Sequence, residues 1–182
     1  MQNVECKCEV QDAELARLML IGVGARHVGA LTQVDTFYRI PDGRLLRRET
    51  TGDAPEYLFY HRHNRVTPRL AHFTVYNEQE MRTRFGATPL PVWVVVHKTR
   101  DIWMQGDVTI HLDHVDNLGD FAEFVVLVRR DRHAGICHRA INELRQQLAP
   151  ALGGMIATSY ADMLADEMQD RPRLEPPAPP AA

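Results

Sequence analysis

The segment QGDVTIHLDHVDNLGDFAEFVV, residues 105–126, sets His111 and Asp113 one residue apart and places Asp120 and Glu123 beyond a short turn. Its other residues are mostly Val, Ile, Leu and Phe, the composition of buried strands. A strand on an ordinary core alternates apolar and polar residues, so one reading is a half-exposed hairpin. The other is a polar face turned into an enclosed, water-filled interior that holds a charged ligand. Charge also alternates on other segments. Glu5 and Lys7 share a face, as do Arg44 and Arg48, Tyr60 and Arg62, and Lys98 and Arg100. On an open sheet these would be solvated faces; closed into a barrel, they would line a polar lumen.

The elements that must position these residues are mostly strands. Period-two alternation predicts strands over residues 3–10, 31–40, 43–50, 56–63, 69–76, 92–104, 108–113 and 120–130. Pro41-Asp42-Gly43 marks the turn between the second and third. Helices are expected over 13–24 behind the N-cap Asp12, from Asn77 to about 85, over 131–148 and over 159–168. About eight short strands with few helices imply an antiparallel sheet that must close or pack on itself.

The chain has 182 residues, 45% of them hydrophobic and 25% charged, which fits one globular domain with a sizeable core. A formal charge of −3 provides no basic field for nucleic acid. Three cysteines make no disulfide framework, and Cys6 and Cys8 are expected to pack rather than hold zinc. No signal-like opening or apolar run near ~20 residues is seen, so no membrane association and a cytoplasmic location are expected. Gly22, Gly24 and Gly29 do not form a dinucleotide-binding loop, and His61 and His63 read as surface histidines. The Pro/Ala-rich end, residues 169–182, is expected to be a disordered tail after a domain spanning 1–168.

Six motifs in register resemble the CYTH superfamily, the triphosphate tunnel enzymes. They are NVECK (3–7), QVDTFYRIPDGRLLRRE (33–49), YHRHN (60–64), VVVHKTR (94–100), IHLDHVDNLGDFAEF (110–124) and SYADML (159–164). The opening Asn-Val-Glu-x-Lys is most like the class IV adenylyl cyclase branch. The resemblance implies an α+β fold, mainly antiparallel β: a closed, tunnel-like barrel of eight strands with flanking helices. It turns the histidine and carboxylates toward the lumen, opposite the basic strands.

The resemblance also implies roles. A triphosphate carries about four negative charges at neutral pH, and enclosing it needs Arg and Lys donors matched to its oxygens. Arg44, Arg48, Arg62, Lys98 and Arg100 are the expected phosphate-binding residues, with Lys7, Lys98 and Arg100 in catalysis. Glu5, Glu123 and Asp113 are the expected ligands of Mg²⁺ or Mn²⁺, supported by Asp35 and by His111, which orients a carboxylate or phosphate. Asp120 falls to the tunnel rim or a structural bond.

The chain departs from the family pattern at four positions. Asn3 replaces a Glu, Leu46 a Lys, Val125 a Glu and Ala71 a Ser. The expected activity is adenylyl cyclase, with ATP or another triphosphate as partner. The alternatives are a triphosphatase and a non-catalytic polyphosphate or nucleotide binder. A homodimer is a candidate assembly.

Overall fold

The computed structural model describes residues 2–61 and 66–170, so the expectations for Arg62, His63 and the tail beyond Asp170 lie outside the described residues. The elements run β1 Gln2–Val10, α1 Ala13–Gly22, β2 Arg26–Tyr38, β3 Arg44–Thr50, β4 Glu56–His61, β5 Arg69–Tyr76 and α2 Glu78–Phe85. They continue with β6 Val92–Gln105, β7 Val108–Val115, β8 Gly119–Leu127, α3 Ala134–Gln147, a 3₁₀ turn at Ala149–Ala151, β9 Leu152–Ile156 and α4 Tyr160–Asp170.

Eight strands close into an antiparallel barrel in the order β5-β4-β3-β2-β6-β7-β8-β1, with β1 pairing back onto β5. β9 is an addition that the alternation did not predict. β5 pairs with Gln2–Glu5 of β1, and β9 takes up the pairing from Lys7 to Val10. Gly153 and Gly154 rob β9 of a period-two signature, so its place depends on β1 rather than on its own side chains.

Local chemistry sets the joints. Asp12 caps α1 by accepting from the Leu15 amide, and Asn77 and Glu80 form a reciprocal capping box on α2. Gly43 turns β2 into β3 with φ of 74°; a Cβ there would lie 2.7 Å from the Phe59 ring, so only glycine fits.

Two apolar clusters hold the barrel. The outer one packs Val4, Cys6 and Cys8 of β1, with Ile110 and Phe124, against Leu20 of α1 and Ile141 of α3. Burial pushes the Cys6 thiol up to about 12 and Cys8 to about 11, so both remain protonated packing residues. The other cluster joins α4 to inward strand faces: Tyr160, Ala161 and Leu164 meet Phe37, Val96, Val115 and Phe121. On β2 and β6, therefore, the inward face turns from charged to apolar toward α4, and the helix packs over that end.

Candidate functional site

The inward faces meet in a cavity of about 310 Å³. On β1, packing Val4, Cys6 and Cys8 outward forces Asn3, Glu5 and Lys7 inward, since strand side chains alternate. The same alternation brings Asp35 of β2, Arg48 of β3, Lys98 and Arg100 of β6, His111 of β7 and Glu123 of β8 into the cavity wall. Register fixes the neighbours: Lys7 opposes Glu123, and Glu123 opposes His111.

Aspartates hold three of the cations in fixed poses. Arg48 donates to both Asp35 oxygens, Nε to Oδ1 at 2.7 Å and Nη2 to Oδ2 at 2.8 Å. Lys98 donates to the same Oδ2. Burial opposes the charge on Asp35, but Lys98 and Arg48 outweigh it and hold the carboxyl far below its usual range. The two cations must share that one carboxylate. Burial and the Arg48 charge accordingly bring Lys98 down to about 8.

Arg100 is engaged in the same way by Asp113, and its Nη2 also reaches Glu123 Oε2 at 3.1 Å. The Tyr160 hydroxyl donates to Asp113 at 2.8 Å, while the Tyr160 ring lies 3.5 Å beneath the Lys7 ammonium. Burial and the nearby Asp113 charge raise the phenol well above its ordinary value, so it stays a donor.

His111 Nδ1 lies 3.4 Å from Glu123 Oε2. Burial and Arg100 push the imidazole down, so it is neutral near pH 7 and donates as the Nδ1–H tautomer. Burial opposes ionisation of Glu123, but the bond from His111 and the charges of Arg100 and Lys7 hold it well below the carboxylate range. Glu5 faces Arg69 at 3.6 Å.

Two expected placements need correction. Asp113 shares its strand face with His111 but sits behind Arg100, fully buried, with both oxygens engaged by Arg100 and Tyr160. It is a counter-ion to Arg100 and not a ligand facing the cavity. Arg44 lies at the α4 end, paired to Asp162 at 2.8 Å and set over the Trp93 ring, outside the cavity wall. Its strand leaves the cavity one turn of alternation beyond Leu46, where α4 has closed the barrel. Asp120 pairs with His114 at the surface.

Sequence reasoning did not single out Tyr160 or Arg69. The signal for Tyr160 was its place in SYADML; for Arg69 it was a face shared with Ala71 and Phe73.

A cation site can be tested on the donors. Among the described residues no group of three His, Cys, Asp or Glu side chains is spaced to hold a metal ion. The cavity does bring Glu5 and Glu123 onto adjacent strands, and it leaves the buried Asn3 Oδ1 without a hydrogen-bond partner. The two carboxylates and the amide oxygen are all hard oxygen donors, the type that suits a hard cation completing its shell with phosphate and water.

The CYTH domain profile matches residues 1–151. The chain belongs to the CYTH domain family. No curated protein matches it. Its barrel is similar in fold to solved structures of low sequence identity. The PH1012 protein of Pyrococcus horikoshii superimposes with a TM-score of 0.70 at 19% identity, covering 88% of this chain and 98% of that one. An adenylate cyclase candidate from Vibrio parahaemolyticus gives 0.71 at 20%, covering 90% and 97%. The Hippeastrum protein HpAC1, an adenylyl cyclase candidate with a dominant triphosphatase activity, gives 0.59 at 10%, covering 95% and 99%. At these identities the likeness is one of fold. No described helix of this CYTH protein is long and apolar enough to cross a membrane.

Proposed function

We propose that this protein is a metal-dependent enzyme that binds a triphosphate in the barrel cavity and converts ATP to cyclic AMP and pyrophosphate. The observation that carries the reading is the convergence of Lys7, Arg48, Lys98 and Arg100 with Glu5 and Glu123 on one cavity. Cations so enclosed, beside carboxylates, match a polyphosphate that arrives with a divalent ion.

Glu5, Glu123 and the Asn3 amide oxygen would hold Mg²⁺ or Mn²⁺. When bound, the ion neutralises phosphate charge and stabilises the charge that grows on the leaving pyrophosphate. The aspartate forks engage Nε and Nη2 of Arg48 and Arg100, which fixes both guanidinium planes and leaves Nη1 of each for phosphate oxygens. Lys98 on β6 and Lys7 on β1 add point charges. The ribose 3′ oxygen then attacks the α-phosphorus, the bond to the bridging oxygen breaks, and the hydroxyl proton goes to solvent. Positioning and charge stabilisation provide the rate, with little covalent chemistry asked of the side chains.

A second reading is hydrolysis of the triphosphate. It is favoured by the dominant triphosphatase activity named for the Hippeastrum relative, and the same cationic wall would serve it. The test is incubation with ATP and Mg²⁺ or Mn²⁺, with cyclic AMP, pyrophosphate and orthophosphate each quantified. Cyclic AMP with equimolar pyrophosphate supports the cyclase; orthophosphate without cyclic AMP selects the triphosphatase.

A further inference from the structure

The cavity has two unlike sides. In the circular strand order, β5 lies four strands from β6 and β4 lies four strands from β7, so these pairs face each other across the barrel. β6 and β7 present Lys98, Arg100 and His111. On β4 and β5, the described residues that line the cavity are Leu58, Tyr60, Ala71 and Phe73, none of them charged. Leu46 continues this side onto β3, in register with Leu58. Two of the four departures from the family pattern, Leu46 and Ala71, thus fall on this side, and a third, Asn3, pairs in register with Ala71.

We propose that this wall is a subsite for the organic body of the substrate, so that the protein selects an organic triphosphate over inorganic triphosphate. The inference rests on the triphosphate reading above and narrows it. Phosphate oxygens pressed against Leu58, Ala71 and Phe73 would give up water without gaining a donor from those side chains, which is costly. A flat or apolar group placed there buries surface on both partners instead. Contact with an organic group also adds affinity that does not depend on charge.

The experiment is calorimetric titration, in Mg²⁺, of non-reactive methylene-bridged forms of ATP, phenyl triphosphate and inorganic triphosphate. At least one organic form is expected to bind about tenfold more tightly than the inorganic one, the scale of apolar-pocket discrimination. Phe73→Ser and Leu58→Ser are expected to weaken the preferred organic ligand several-fold and to leave the inorganic one within about twofold. Leu46→Lys is expected to tighten inorganic triphosphate, a gain that partial unfolding cannot imitate. Inorganic triphosphate binding as tightly as both organic forms, or the Ser variants weakening all three ligands alike, would overturn the subsite while leaving the triphosphate reading in place. If none of the three binds, the triphosphate reading itself fails and the subsite with it.

Discussion

Arg100 grips Asp113 at two points, Nε to Oδ1 and Nη2 to Oδ2, both at 2.6 Å, inside the barrel and out of contact with solvent. A bidentate pair of this kind orients the guanidinium while its charge is already compensated. Asp113→Asn keeps the shape and removes the charge, leaving Arg100 with a weaker partner at Glu123. The expected cost is about 3–5 kcal/mol of stability, the scale for breaking a buried ion pair. Chemical denaturation of both proteins measures it, and a shift below about 1 kcal/mol would mean that Asp113 does not compensate Arg100.

Lys98 provides a pH test with two opposite signs. Its pKa falls from 10.5 to about 8 through burial and the adjoining Arg48. Phosphate binding needs the protonated form, so kcat/KM, which reports the free enzyme, is expected to decline as pH rises through about 8. Stability runs the other way. Between about 8 and 10.5 the unfolded chain binds the proton that the folded protein has released, so this group favours folding more as pH rises. Lys98→Arg should abolish the alkaline limb, because a guanidinium remains charged. An unchanged profile in that variant would assign the limb to another group.

Lys98→Ala and Arg100→Ala are each expected to lower kcat/KM by about two orders of magnitude, the scale seen when one preorganised charge donor is lost. Circular dichroism spectra should show the barrel retained. Wild-type kinetics in both variants would remove β6 from the active site.

Glu123→Gln tests the cation site. The substitution keeps an oxygen in the cavity wall but removes its charge, and it weakens the bond from His111. Activity is expected to require at least about tenfold more Mg²⁺. Coincident titration curves would make Glu123 structural.

Asn3→Glu runs the same argument in reverse. Asn3 Oδ1 is buried, faces the cavity and has no hydrogen-bond partner. A carboxylate there should tighten Mn²⁺ binding, because a hard cation gains more from a charged oxygen than from an amide. Calorimetry with Mn²⁺ and a non-reactive ATP analogue reads the metal and the nucleotide separately. Weaker metal binding would place Asn3 away from the ion.

Most of the barrel was legible because its strands alternate, β1 between a core and the polar lumen and β6 between solvent and the lumen. Val4-Glu5-Cys6-Lys7 and Val96-His97-Lys98-Thr99-Arg100 alternate plainly, and the gathering of Glu5, Lys7, Lys98, Arg100 and Glu123 on one cavity followed from closing the sheet. β9 was not legible, since two glycines carry no face. Depth was not legible either. Period two places His111, Asp113 and Val115 on one face but is silent on how far along the tunnel each sits. Asp113 therefore passed for a cation ligand, although α4 brings Tyr160 against it. Arg44 and Arg48 read alike in sequence; Asp162, from a helix more than a hundred residues further along the chain, separates them.

The measurement closest to the central claim is phosphorus NMR of ATP incubated with the protein and Mg²⁺ or Mn²⁺, run beside Lys98→Ala and a metal-chelated control. The account predicts loss of the ATP resonances with matched growth of cyclic AMP and pyrophosphate, abolished by chelation and strongly slowed in Lys98→Ala. ATP and inorganic triphosphate both left intact at every metal concentration would contradict it.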